Sequence, residues 1–313
     1  MSFALEVKEE IVSHTFSDAQ EQAFLCGFIK YNGELIYSDN LLKLHISTIS
    51  NKIARTLLTF VKKHYQGEVL ISITQSQTLK KQKVYHLTLN GEVKNFLIQL
   101  NIIDTRQSKV IVLDQEILSH SDLLRSYVAG MFVAIGSVNA PQSYYHLELR
   151  FRENADALYF QSLMHNQGFN FKLLNRKNQI YLTYLKKATL ISDFLKFIDA
   201  GLSVMKFENE RISRDMVNSI NRISNIDISN QAKVLKTAEE QVKQITYIKQ
   251  HHQMQKLSEK ANVLANLRLR FPESSYVELE SEMQKKGFVI TKSGIANLFK
   301  NIEKLYHEIY KDD

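Results

Sequence analysis

Lys292, Ser293, Asn297, Lys300 and Lys304 recur at short helical steps, so a helix through them carries all five on one side. Their types suit one chemistry. An Asn amide makes paired hydrogen bonds to adenine, a Ser hydroxyl reaches bases or phosphates, and lysine ammonium groups neutralise phosphates. The other side of the same stretch is apolar, with Ile295, Leu298, Phe299, Ile302 and Leu305. An ordinary helical hairpin with a wet outer face would share this layout, so the reading depends on the elements around it.

Those elements are legible. Thr291 supplies an N-cap for the last helix, and Gly287 supplies the turn before it. Ser275 with Glu278 three residues later forms a capping box for a short helix running toward Met283, and Pro272 ends the helix before that. A short helix, a glycine turn and a helix with a polar outer face make the layout of a helix-turn-helix, whose second helix enters the major groove. The stretch "QKKGFVIT" makes this turn long and basic, which leaves the register of base contacts open.

From about residue 202 onward the pattern is helical throughout. "SRDMVNSINRI", "NQAKVLKTAEEQVKQITYIKQHH" and "LSEKANVLANLRLRF" read as three helices, with Val234, Leu235, Ala238, Val242, Ile245 and Ile248 in one apolar stripe. His251 and His252 are adjacent and point apart on a helix, which is poor spacing for metal ligands.

The first two-thirds of the chain is a repeat. "AFLCGFIKYNGEL" recurs as "YVAGMFVAIGSVN", and Gly33 and Gly136 lie as far apart as Asn51 and Asn154, which begin the next helix in each copy. We assign Asn51 and Asn154 as N-caps, with a glycine near each helix end as C-cap. Strands are marked by alternation in Leu42, Leu44 and Ile46 and in Tyr145, Leu147, Leu149 and Phe151, with Asp39 and Asn40 as a turn. Each half then reads helix, strand, strand, helix, strand, strand, helix, which implies an α+β fold with two four-stranded antiparallel sheets, each covered on one face. Lys80, Lys81 and Lys83 in one copy and Lys172, Arg176 and Lys177 in the other stand at matching hairpins. They are placed to flank a duplex, although hairpin tips are often basic for solvation alone.

A duplicated αββαββα unit opened by a glycine-bearing apolar helix resembles the LAGLIDADG homing endonucleases. The resemblance implies that Gly27 and Gly130 let the two motif helices approach closely. It also puts Asn32 and Ile135 where those nucleases carry the acids that hold divalent metal. Asn offers one neutral oxygen and Ile none, so a metal pair cannot assemble there. Glu34, two residues on from Asn32, and Asp122, well upstream of Ile135, read more simply as surface charges. With the helix-turn-helix added, the whole chain resembles the WhiA family of bacterial regulators, carried by "RSYVAGMFVAIGSVNAPQSYYHLEL", "NSINRISNIDISNQAK" and "VITKSGIANLFKNIEKL". That resemblance implies a regulator of transcription, cell division and chromosome segregation that binds double-stranded DNA without cutting it. It implies no cofactor and no metal. A protein-docking or nucleoid-architectural role for the non-catalytic sheet is the alternative, with other transcription or division proteins as partners, and residual metal-dependent cleavage is a distant third.

Composition agrees. The 313 residues carry a net charge of +7, which favours polyanionic partners. A single cysteine excludes an internal disulfide framework and a cysteine-based zinc site and fits a reducing compartment. No unbroken apolar run of about 18 residues exists for a membrane span. The expected location is therefore cytoplasmic and nucleoid-associated. The expected organisation is a degenerate repeat domain over 1–202, with repeats at about 20–103 and 123–202, a helical linker over 203–255 and the helix-turn-helix domain over 256–313.

Overall fold

The computed structural model describes residues 2–38, 41–75, 82–176 and 179–312. The chain divides into two compact units, Met1–Asp215 and Met216–Asp313. The Asp39–Asn40 turn and the side chains of Lys80, Lys81 and Lys177 lie outside the described residues.

In the first unit, α1 (Phe3–Ile11) precedes two matching series. The first is α2 (Asp18–Asn32), β1 (Glu34–Ser38), β2 (Leu41–Thr48), α3 (Asn51–His64), β3 (Glu68–Gln75), β4 (Lys83–Asn90) and α4 (Val93–Gln99). After the short α5 (Gln115–Ser119) comes the second: α6 (Ser121–Ile135), β5 (Gly136–Val138), β6 (Leu147–Phe151), α7 (Asn154–Asn166), β7 (Lys172–Arg176), β8 (Ile180–Leu185) and α8 (Ala188–Phe197). The sheets run β1-β2-β4-β3 and β5-β6-β8-β7, all pairs antiparallel. Strand alternation decides which face each sheet buries: Leu44, Ile46, Leu87 and Leu89 point to the core in one, Leu147, Leu149 and Leu185 in the other.

The motif helices α2 and α6 form the spine. A Cβ built on Gly27 would sit 2.1 Å from the Tyr127 carbonyl oxygen, and one on Gly130 would sit 2.2 Å from that of Phe24. Each glycine thus receives the other helix's backbone, and no larger residue fits either place. Phe24, Phe28, Tyr127 and Phe132 fill the surrounding core.

The caps differ from the sequence-based expectation. Asn51 and Asn154 are the first helical residues, and the caps are the residues before them. Ser50 accepts from the Ile53 N–H at 3.3 Å and donates to Glu9 Oε1 at 2.7 Å. Glu153, before α7, makes no capping bond because its carboxylate is held by Lys109 at 2.9 Å. α7 does close on Gly168, whereas α3 closes on Tyr65 in extended backbone.

The expected helices between 213 and 252 are one helix, α9 (Gly201–Gln250). Neither Gly nor Pro occurs between residues 202 and 271, so nothing interrupts it before His252 turns left-handed at φ 57°. Its first N–H groups, at Leu202 and Ser203, donate to the Glu10 carboxylate of α1 at 2.6 and 2.8 Å. Of its proposed apolar stripe, Ala238, Ile245 and Ile248 are buried while Val234 and Leu235 are exposed. The second unit continues with α10 (Glu259–Arg270), α11 (Tyr276–Lys285) and α12 (Lys292–Asp312). Among the described residues no helix is long and apolar enough to cross a membrane.

Candidate nucleic-acid interface

The second unit is built around one small core in which Leu264, Leu279, Met283, Ile295, Phe299 and Ile302 meet Ile245 and Ile248 of α9. Ser275 and Glu278 form the capping box that starts α11. Gly287, at φ 84°, turns the chain after it, a conformation that costs a side-chain-bearing residue steric strain. Thr291 Oγ1 accepts from the Gly294 N–H at 3.3 Å and starts α12.

These devices fix which side of α12 faces out. Ile295, Phe299, Ile302 and Leu305 are buried, so Lys292, Ser293, Asn297, Lys300 and Lys304 are all exposed along the opposite side. Among the described residues none of the three lysines pairs with a carboxylate. A row of unpaired cations flanking an Asn, on a helix with a free outer side, can meet phosphates and a base edge together.

The sequence reading did not single out Arg268. It is only 1% exposed, yet among the described residues no carboxylate pairs with it. Its Nε donates to Gln241 Oε1 at 3.1 Å and one terminal nitrogen donates to the carbonyls of Pro272 and Ser274 at 3.3 and 2.6 Å. The guanidinium also lies over the Phe299 ring, 5.2 Å from its centroid. Burial lowers its pKa. One side chain therefore ties α9, the turn before α11 and α12 together. A signal existed: Ala261, Leu264, Ala265 and Arg268 share the inward side of α10, so a cation occupies a core position.

The outer faces of the two sheets differ. On the first, His45 and His86 stack with centroids 5.1 Å apart and share a 3.1 Å hydrogen bond, flanked by Thr88 and Thr74. Desolvation and the neighbouring His45 lower the pKa of His86. Lys83 falls with Leu87 and Leu89 on the helix-bearing side of that sheet and is exposed at the strand end. On the second sheet, Lys172 and Arg176 point to the outer face, the side of Tyr184 and Leu182, and Arg150 joins them there. None of these three pairs with a carboxylate among the described residues.

Asn32 and Ile135 end the two motif helices beside a cavity of about 960 Å³. The Asn32 side-chain oxygen accepts the Ser47 N–H at 3.2 Å. The nearby carboxylates are already matched with cations: Glu34 with Arg152 at 3.3 Å, and both Glu153 and Asp156 with Lys109 at 2.9 and 2.5 Å. Among the described residues no three His, Cys, Asp or Glu side chains converge to hold a metal ion. The donor set does not fit a divalent cation.

Lys8 also lines this cavity, and burial lowers its pKa from 10.5 to about 8. The folded chain therefore releases that proton more readily than the unfolded chain. The penalty is complete below about pH 8 and fades as pH rises toward about 10.5. Lys8→Met is expected to stabilise the first unit by roughly 1–3 kcal/mol at neutral pH, a gain that shrinks above about pH 8 and is gone by about pH 10.5. Thermal denaturation across that range checks it; equal melting of both proteins at neutral pH would refute the cost.

The comparisons with known proteins cover the same ground. Residues 18–103 match the WhiA N-terminal LAGLIDADG-like domain, residues 124–217 the WhiA LAGLIDADG-like domain, and residues 220–306 the WhiA C-terminal HTH domain. A probable cell division protein WhiA of Lactobacillus acidophilus is 34% identical, with 97% of each chain covered. One from Bacillus cytotoxicus is 35% identical over 99% of this chain and 97% of its own. The crystal structure of full-length DUF199/WhiA from Thermatoga maritima shares the fold at a TM-score of 0.58 and 23% identity, with 98% of both chains covered.

Proposed function

This chain belongs to the WhiA family, and from that premise we propose that it is a DNA-binding transcription factor acting in cell division and chromosome segregation, without nuclease activity. The observation that carries the proposal is the exposed, unpaired face of α12 in a domain that matches a helix-turn-helix family. Asn297 reads a base edge, and Lys292, Lys300 and Lys304 grip the phosphates on either side, with Ser293 at the start of the helix. The outer face of the second sheet, through Arg150, Lys172 and Arg176, adds sequence-independent attraction. Asn32 and Ile135 give no ligand pair to a catalytic metal, which supports a binding protein over a cutting one.

Lys300→Ala and Lys304→Ala are expected to weaken binding to all duplexes alike. Each should also lower the slope of log affinity against log salt by about 1, because each removes one phosphate contact. Asn297→Ala should leave that slope and reduce discrimination between sites instead. Fluorescence anisotropy with duplex DNA at several salt concentrations tests this, and unchanged affinity in both lysine variants would sink the assignment. Cleavage of plasmid DNA in the presence of Mg²⁺ or Mn²⁺ would defeat the non-nuclease reading.

A further inference from the structure

Within the second unit, residues 216–237 of α9 are exposed at every position, and their sequence is unusual for a bare helix. A solvated helix is ordinarily rich in Ala, Glu, Lys and Gln, with pairs of opposite charge along its surface. From 218 to 230 the residues are instead Asn, Ser, Ile and Asp apart from Arg222, the one strong helix former. The composition is chosen against helix stability, so something other than stability accounts for it.

The order of the polar residues indicates what. Asn218, Asn221, Arg222 and Asn225 step by three and four, and the same side continues to Lys233 and Lys236. Between 218 and 236 no acid stands on it, Asp215 and Glu240 bracketing it one turn beyond each end: Asp227 lies on the far side of the helix, among isoleucines. Asn and Arg are the side chains that read adenine and guanine through paired hydrogen bonds, and Lys binds phosphate. Residues 216–237 span roughly 33 Å of helix, close to the ~34 Å turn of a duplex.

We propose that this side of α9, from Asn218 to Lys236, is a second DNA-contacting element, in which Asn221, Arg222 and Asn225 face base edges and Lys233 and Lys236 hold phosphates. The inference rests on the DNA-binding reading above and adds to it a surface that α12 does not supply. A self-paired α9 is the weaker alternative on the same residues, because pairing two copies along the apolar side would set Asp227 of each in the seam.

The test uses the full chain carrying Arg222→Gln, Lys233→Gln and Lys236→Gln together, which removes three exposed charges and keeps helix-compatible side chains. The probe is a random-sequence duplex of about 30 base pairs, roughly three turns. The expected result is at least a tenfold loss of affinity at ~0.1 M salt and a salt slope lower by about 2, as the two lost phosphate contacts of Lys233 and Lys236 require. Unchanged affinity and slope in this variant, while Lys300→Ala lowers both, would overturn the second element and leave α12 as the reader. Unchanged binding in both variants would overturn the helix-turn-helix reading as well. Arg222→Lys, which keeps the charge, should retain the slope; loss of slope there would refute a phosphate or groove contact of this kind.

Discussion

Gly27→Ala is expected to cost the first unit most or all of its stability, on the order of 4 kcal/mol or more. The added methyl would lie 2.1 Å from the Tyr127 carbonyl oxygen and 3.1 Å from the Met131 nitrogen, both backbone atoms of the facing helix. A flexible side chain could swing away from such a contact; a helix backbone moves only if α2 and α6 part. Parting them exposes Phe24, Phe28 and Phe132 along the spine of the core. Gly130→Ala should match it, since its Cβ meets the Phe24 carbonyl at 2.2 Å. Thermal melting of purified variants decides the matter. A variant melting within a few degrees of the parent would mean that the two helices can separate at little cost, against the reciprocal contact described above.

Arg268→Leu is expected to be as damaging to the second unit. The substitution keeps an apolar body in the core but leaves Gln241 Oε1 and the Pro272 and Ser274 carbonyls without the donors that satisfy them. Losing one member of a buried network of this kind costs about 3–5 kcal/mol. Arg268→Lys should rescue little, because a compact ammonium cannot span Gln241 on α9 and the two carbonyls of the turn as a planar guanidinium does. The readout separates fold from contact: DNA affinity should fall together with the melting of the second unit, although Arg268 lies on the inward side of the domain. Normal melting with lost DNA affinity would contradict a structural role and place the residue at the interface itself.

The duplicated order of elements was legible because a period of apolar residues, helix ends and glycines recurs along the chain, and periodicity survives where identity does not. The outward side of α12 was legible for the same reason. Cap positions were displaced by one residue because Ser50 and Asn51 are both good cap formers, and only the tertiary bond from Ser50 to Glu9 decides between them. The continuity of α9 was hidden by its composition: a run of Asn, Ser and Ile looks like a break, yet no Gly or Pro is present to make one. Arg268 escaped because a lone cation suggests solvent until its neighbours at three- and four-residue spacing are counted with it. The Lys109 cluster was beyond reach, since it joins residues far apart in sequence that meet only across the fold.

That cluster and the bond from Ser47 to Asn32 bear on what substitution at the ends of the motif helices could achieve. The residues at the ends of α2 and α6 sit among neighbours matched to them: the side-chain oxygen at 32 receives a backbone N–H, position 135 packs against apolar core, and the acids across the cavity are committed to Lys109. Carboxylates placed at 32 and 135 would meet a half-buried, partly apolar setting with no ion-binding shell to share. Two substitutions alone therefore build no metal centre at the helix ends; the surrounding shell would have to change with them.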